Sequence, residues 1–597
     1  MASFPEHPVN PSANPFARHW VRWTLLLWLA AAIAMIVTKW AAIHWFALGD
    51  TDDNLRIAQV NAWLHGQGWY DLRQYRLNPP AGADIHWSRL ADLPIAGIIL
   101  LVKPFAGYVV AEKAAVAIAP LIPLALAMLS LALAARRLVA PGAFAFGALL
   151  LLCGQSALFM FMPLRIDHHG WQLAFLALAL AGSADAARRR GGAIVGLATA
   201  LSLIVGLEML PYLALAGGVI ALRWVADRAE RDRLAAYAAT LAGGSAIGFL
   251  LFASTANRAP VCDALSPVWL SASLAAGGLL AALAWTSPTK RRVRLALAVV
   301  AAVVLVAAFA YAWPHCLSRP EGVSPELERL WLSHVREAKP IYQHGWRVYL
   351  PALALPLAGA IGAAAMLWRG RGTPAFAAWA TPTLLAIAAC AMLLWQTRAG
   401  PAAQLLGVPG AAALGWLLLP RIAGDRRPWV RLGGAIALFL VVSGVAVPLT
   451  INALPPASPG KGRRATAAAN RKCPTLPALA PIARLPQATI LTFVDFGPRL
   501  LAVTHHRAIA GPYHRNGAAI LDVQHAFRGS AENARRIMWR HGATLLLICP
   551  GMSESTIYAG EARNGFYAQL MRGRVPGWLA PVPLPKSNPL RLWRLAG

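Results

Sequence analysis

The sequence predicts a mostly α-helical, polytopic membrane protein of about thirteen transmembrane helices, with a small external α/β domain at its C-terminal end. Three observations carry that expectation. Of 597 residues, 58% are hydrophobic and only 13% charged, at a mean hydropathy of +0.52, a makeup no ordinary soluble domain shares. Apolar runs of roughly 20 residues, long enough to span a bilayer, recur along the chain with short basic blocks between them. After about residue 470 that rhythm stops and strand-sized and helix-sized patterns replace it. A formal charge of +30 would suit nucleic acid, but the lysines and arginines come in blocks instead of on one face, so they read as topology signals and no nucleic-acid partner is expected.

Residues 1 to 17 hold no small-residue cleavage site after an apolar core, so no removable signal peptide is expected. The first apolar run, residues 21 to 43, stays as a helix, and Arg18 and Arg22 before it place its start inside. The blocks Arg136-Arg137, Arg188 to Arg190, Arg223 to Arg233, Lys290 to Arg294, Arg369 to Arg371 and Arg421 to Arg431 then fall on the same side if the helices alternate. Left outside are residues 44–112, 163–169, 206–210, 256–267, 314–348 and 396–400, with everything after about 452. The first of these is too long for a turn, and Leu93 to Val110 reads as an interfacial helix broken at Lys103-Pro104. Pro455, Pro456, Pro459, Gly460 and Gly462 mark a linker over 452–470. This divides the chain into a membrane domain (1–451), that linker and an external domain (471–597), in which Ala488 to Val494 and Thr544 to Cys549 read as strands and Ala531 to His541 as an amphipathic helix. The expected location is the bacterial cytoplasmic membrane, with the external parts in the periplasm.

Cys153 and Cys390 fall inside apolar runs, whereas Cys262, Cys316, Cys473 and Cys549 fall outside, where an oxidising compartment permits disulfides. If they bond, the pairs are Cys262–Cys316 and Cys473–Cys549; the alternative is four free thiols.

The polar chemistry gathers in the external segments. Asp50, Asp52, Asp53 and Arg56 follow the first helix directly. Carboxylates crowded into one turn repel unless they meet a cation, although Asp is also a preferred helix cap. Asp167-His168-His169 sits between two later spans, and Asp167 and His169 can converge on one ion; a structural histidine pair is the alternative. Glu337-Ala338-Lys339-Pro340 lies in the long late loop, where a lone glutamate is commonly solvated. Arg398 at an outer turn suits a phosphate or snorkels to headgroups. His86, Trp87 and Arg89 form a phosphate-binding or interfacial cluster. The groups 504–507 and 511–516, with Tyr513, His514 and Arg515, are dense in donors and either line an acceptor groove or only edge the external domain.

Taken in order, the acidic stretch after the first helix, Asp-x-His after the third, Glu-x-x-Pro in a late external loop, an outer arginine and the C-terminal α/β domain resemble the catalytic subunit of oligosaccharyltransferase, in the GT-C glycosyltransferase superfamily. The resemblance runs over most of the chain. It implies catalytic acids among Asp50, Asp52, Asp53 and Glu337, in a register that pairs Asp50 with Arg56 or in one that selects Asp52 and Asp53. It implies a divalent metal, Mg²⁺ or Mn²⁺, on Asp52, Asp53, Asp167 and His169. Arg56, Arg398, His86 and Arg89 would meet the donor phosphate, and His168, Asp495, Tyr513, His514 and Arg515 the acceptor or substrate. The family's Trp-Trp-Asp-Tyr-Gly is here Phe493-Val494-Asp495-Phe496-Gly497, which puts protein N-glycosylation in doubt.

The function implied is transfer of a sugar or oligosaccharide from a polyprenyl-linked phosphate or pyrophosphate donor to a glycan, lipid or protein acceptor at the outer membrane face. Membrane lipids are the remaining partner. A transporter or flippase of lipid-linked saccharide precursors is the alternative, but it calls for polar residues within the spans, and most spans here are plain Ala, Leu and Val. A structural or assembly role is a third reading.

Overall fold

The computed structural model describes residues 15–318, 321–455 and 460–596. Most of the expected leaderless N-terminus, and Pro456 and Pro459 of the linker, lie outside the described residues.

The protein is a multi-pass helical membrane protein with a small C-terminal sheet domain. Among the described residues, eight helices are long and apolar enough to cross a membrane, or nine if Pro428–Val442 and Ala446–Ala453, bent by 93°, form one span. Helices of spanning length therefore do not reach the expected thirteen. The difference falls on shorter or more polar helices, Pro141–Cys153, His169–Ser183, Arg188–Val205 and Leu210–Ala226. Many of their side chains are buried against neighbouring helices, so they are not obliged to match the full apolar thickness. Small residues make that packing close. Gly359 and Gly410 bring the helices Trp346–Arg369 and Gly400–Ala423 together so tightly that a Cβ on Gly410 would overlap the Gly359 carbonyl.

Three of the basic blocks meet at one end of the bundle. Asp185 takes Arg137 and Arg190 at 2.6 and 2.7 Å, and Glu230 takes Arg188, Arg223 and Arg233 at 2.6 to 3.3 Å. The opposite end carries the long first connection. Thr51–Leu64 is a helix, Arg73–Gln74 (β1) and Ala83–Asp84 (β2) pair antiparallel, and Asp92–Ala106 is an apolar helix containing Pro104 and ending at Gly107. Leu100, Leu101 and Phe105 are exposed on it, as an interfacial helix requires.

In the C-terminal part, strands Thr489–Leu491 (β3), Arg507–Ala508 (β4), Ala543–Ile548 (β5), Leu579–Val582 (β6) and Arg591–Leu595 (β7) form one sheet in the order β4-β3-β5-β7-β6. β3 runs parallel to β4 and β5, while β7 is antiparallel to β5 and β6. The expected strands are β3 and β5, and the expected amphipathic helix is Ala531–Arg540. Most of residues 461–470, expected as linker, belong to a helix, Lys461–Lys472, whose alanine run favours that state.

This sheet is not a free appendage. Residues 76–78 of the first connection continue it: Ala508 donates its N–H to the Arg76 carbonyl and Asn78 its own to the Ala508 carbonyl, both at 2.9 Å. The Arg76 guanidinium caps the carbonyls of Leu501, Thr504 and His506, and Arg499 donates to the Phe46 carbonyl and Asn54 Oδ1 at 2.9 and 3.1 Å. Leu55, Leu77, Ile85 and Trp87 share one apolar core with Phe493, Leu500, Ile509 and Phe527.

Both expected disulfides are present, Cys262–Cys316 with Cα atoms 5.4 Å apart and Cys473–Cys549 at 6.3 Å. Cys473→Ser should lower the stability of the C-terminal part by about 2–5 kcal/mol, as loss of a native bridge does. Thermal unfolding with and without reductant checks this, and a variant as stable as the oxidised parent would contradict it.

Candidate functional site

The site is built where the helix Thr51–Leu64 starts beside the connection 163–168. Asp50 caps that helix, accepting the Asp52 N–H at 3.0 Å, and its other oxygen meets Arg165 at 2.6 Å. Asp50 thus caps the helix and at the same time ties its start to Arg165. The connection turns through Leu164, whose φ of 77° is left-handed, and this swings Arg165 back towards the helix.

Asp53 and Asp52, neighbours in sequence, have opposite fates. Asp53 is buried, and its carboxylate accepts the N–H groups of Ile166 and Asp167 at 2.8 and 3.0 Å and Arg165 at 3.0 Å. Asp53, expected as a catalytic acid and metal ligand, has both carboxylate oxygens bonded to the connection and fastens it to the helix. The Asp52 carboxylate makes no hydrogen bond or ion pair among the described residues. Desolvation first, then Asp50 and Asp167, push it up to about 8, and Glu337 contributes in the same direction.

Asp167 is buried, with one oxygen on the His169 N–H at 3.0 Å and the other on Arg165; His169 Nδ1 stands 3.3 Å from it. Against desolvation, Arg165 and then His169 hold Asp167 well below the usual carboxylate range. His168 has both ring nitrogens engaged, by Arg56 at 3.3 Å and Glu208 at 3.0 Å, so it supports the site and does not offer itself to substrate.

Glu208 is a residue the sequence reading missed. It lies in the short turn after Arg188–Val205, holds His168 and Gln172, and offers a carboxylate oxygen within 4.8 Å of the ring nitrogens of His168 and His169. The only signal in the sequence is an acid in an outer turn, which has no spacing to set it apart.

Among the described residues, His168, His169 and Glu208 bring ligand atoms within 4.8 Å of one another and could hold a cation; Asp52 and Asp167 add negative charge beside His169. Asp52 is a carboxylate without a partner in a desolvated acidic pocket, Asp167 and Glu208 are charged neighbours, and His169 is 30% exposed beside them. Carboxylates with one imidazole suit Mg²⁺ or Mn²⁺.

Several expected donor and acceptor residues are placed elsewhere. Arg56 is fully buried, bonded to Asp92 at 2.6 Å and lying 4.4 Å over Trp87, so it neither pairs with Asp50 nor reaches a phosphate. Arg89 is buried on Asp92 and the Asp71 carbonyl. The Tyr513 hydroxyl donates to the Thr51 carbonyl at 3.0 Å from a buried position. His514 and Arg515 both close on Asp263, and the His86 ring lies tilted against that of His514 with ring centres 4.8 Å apart. His505 and His506 bond the carbonyls of Leu485 and Ile482 at the sheet edge.

Two further groups face Asp52 and Asp50. Glu337, with its side chain 65% exposed, lies 3.5 Å from Arg398, which also meets Glu321 at 3.7 Å. Expected on opposite sides of a reaction, Glu337 and Arg398 are thus ion-paired. Asp495 is exposed; desolvation, then Asp50, push it up to about 6. Its loop is held from behind by the buried Glu554, which accepts the N–H groups of Val494 and Asp495 at 2.9 Å each and the Tyr558 hydroxyl.

No protein-family model matches the chain, and no curated protein sequence does. Solved structures do. An archaeal oligosaccharyltransferase from Archaeoglobus fulgidus, in complex with an inhibitory peptide and a dolichol-phosphate, is 15% identical, with a TM-score of 0.66 over 90% of this chain and 70% of that one. The Archaeoglobus fulgidus enzyme tethered to an acceptor peptide containing the NVT sequon is 14% identical, with a TM-score of 0.66 over 98% and 75%. The same enzyme in complex with Zn and sulfate gives 15% and 0.60 over 88% and 67%. At such identities the likeness establishes the fold.

Proposed function

We propose that this chain, which has the fold of the GT-C membrane glycosyltransferases, transfers a sugar or oligosaccharide from a polyprenyl-linked phosphate or pyrophosphate to an acceptor at the periplasmic face of the bacterial cytoplasmic membrane. The observation that carries the reading is the unpartnered Asp52 carboxylate, set against Asp167 and His169 at the end of the bundle opposite the Asp185 and Glu230 clusters. The Archaeoglobus structures, which hold a dolichol-phosphate and an acceptor peptide, support a lipid-phosphate donor and a separate acceptor.

Asp52, Asp167 and His169, with Glu208 behind them, would hold the divalent cation, whose charge stabilises a departing phosphate. The chain's own residues do the rest. Arg165 fixes Asp167 and Asp50, so the carboxylates keep their positions as substrate arrives. Arg398 gives the phosphate a cation by exchanging Glu337 for it. Asp495, raised towards neutral pH, accepts a hydrogen bond from the acceptor hydroxyl or amide and is suited to take its proton. Phe493 and Phe496 are buried, so the motif presents Asp495 alone and no indole or phenol for a sequon hydroxyl. This favours a glycan, a lipid-linked saccharide or a protein hydroxyl as acceptor.

In proteoliposomes loaded with a labelled polyprenyl-phosphate sugar and supplied with a glycan, saccharide-lipid or peptide acceptor, the protein should pass the label to the acceptor and release polyprenyl phosphate with Mg²⁺ or Mn²⁺ and stop with EDTA. Donor that crosses the bilayer uncleaved would identify a flippase instead. Arg398→Ala should weaken donor binding by about 10- to 100-fold, the worth of a charge-assisted phosphate contact. Glu337→Gln, which leaves Arg398 with Glu321 as its remaining ion-pair partner, should leave donor affinity unchanged or tighter while slowing turnover; equal losses of affinity in both variants would make the pair a purely structural contact.

A further inference from the structure

The cluster of His86, Asp263 and His514 is left without a role by the reaction above. It joins three segments: the first connection, the connection 256–267 and the C-terminal domain. One ligand atom from each lies within 4.8 Å of the others, and all three residues are partly accessible. Asp263 does not need the histidines for charge balance, because Arg515 already grips both its oxygens, Nε to Oδ2 at 2.7 Å and Nη2 to Oδ1 at 2.6 Å. His514 Nε2 nevertheless stands 2.5 Å from Oδ2, and the His86 ring lies 4.8 Å from the His514 ring with no hydrogen bond of its own among the described residues. An ion pair explains Arg515; it leaves two imidazoles pressed on one carboxylate unexplained.

The surroundings are those of a ligand set that is oriented from outside. Asn257 accepts from Arg515 at 2.8 Å and donates to the His86 carbonyl at 3.1 Å, tying the carboxylate's partner to the backbone of the first histidine. Asp263 follows Cys262, which the bridge to Cys316 fixes. Trp87, the neighbour of His86, is buried in the shared core. Ligands on rigid segments, with their remaining atoms hydrogen-bonded, are what metal sites require.

We propose that His86, Asp263 and His514 form a second divalent-metal site, distinct from the one at Asp52 and Asp167, that takes Zn²⁺ and clamps the C-terminal domain onto two external connections. Two imidazoles and one carboxylate are a set that suits Zn²⁺ better than Mg²⁺. Asp263 keeps lone pairs for the ion while Arg515 stays on it as an outer partner, and His514 exchanges its contact with Asp263 for the metal.

The test uses the full chain in detergent, stripped with EDTA, freed of chelator, supplied with excess Mg²⁺ to fill the Asp52 site, and titrated with ZnCl₂. Bound zinc is read by elemental analysis and by the shift of the thermal midpoint. Expected is about one equivalent of Zn²⁺ per chain with a rise in midpoint, both kept in Asp167→Asn and both lost in His86→Ala. Asn257→Ala should weaken zinc by about 10- to 100-fold, as removal of an outer partner does. His86 makes no hydrogen bond to lose, so its variant should fold; if His514→Ala does not, the His86 result stands alone. Zinc content equal in His86→Ala and the parent, zinc lost with Asp167→Asn, or no zinc on the parent would each overturn the proposal.

Discussion

Asp52→Asn should abolish sugar transfer, by about three orders of magnitude or more, and leave the protein as stable as the parent. The scale is that of removing an electrostatic element from a preorganised site, about 10²–10³ for a single donor, with metal coordination adding to it. The lack of a stability cost follows from position. Among the described residues the Asp52 carboxylate has no bonded partner, and it is pushed up to about 8 by desolvation and by Asp50 and Asp167, so a neutral isostere relieves repulsion. Asp53→Asn makes the contrast, because its carboxylate accepts two N–H groups and Arg165, and weakening them should loosen the connection 163–168. Turnover and thermal midpoint measured on both variants separate the cases. An Asp52→Asn enzyme with a tenth of parental activity would sink the assignment.

Arg56→Met should be the most destabilising single change near the site, by about 3–5 kcal/mol, the cost of breaking a buried ion pair from one side. Arg56 holds Asp92 and His168 from a position with no exposure, so its loss leaves Asp92 on Arg89 alone and frees the ring that braces Glu208. Yield of monodisperse protein and its thermal midpoint are the readouts. A well-folded Arg56→Met protein defective only in donor affinity would restore a phosphate-binding role.

Why the sequence led to Asp167 and His169 but misjudged Arg56 is a matter of range. Two polar residues two positions apart are local, and their spacing is visible in the chain. The partner of Arg56 is 36 residues away, and only the folded first connection brings Asp92 beneath it. Asp52 and Asp53 are equivalent on paper; about 100° of helical rotation turns one towards the backbone of Ile166 and the other into the pocket. Glu208 carries no pattern at all. At the level of the fold, composition sufficed for the membrane class, and the cysteine positions gave the two pairings while leaving open whether they bond, which the folded chain resolves. The count of thirteen is not confirmed by helices of spanning length, because an apolar run such as Leu210–Ala226 looks the same in sequence whether lipid or protein surrounds it. In the C-terminal part, β4 is two residues long and β6 contains Pro581, so neither offers the alternation by which β3 and β5 were recognised.

The central claim is that Asp52, Asp167 and His169 hold one divalent cation where a lipid phosphate can reach it. The most direct measurement is the Mn²⁺ electron paramagnetic resonance of the full chain in detergent, titrated with undecaprenyl phosphate and resolved for phosphorus and nitrogen hyperfine coupling. The account predicts a tightly bound Mn²⁺ coupled to nitrogen, gaining phosphorus coupling when the lipid is added, and lost in Asp167→Asn and in His169→Ala. Mn²⁺ binding indifferent to both substitutions, or a bound ion that never senses the lipid's phosphorus, would contradict it.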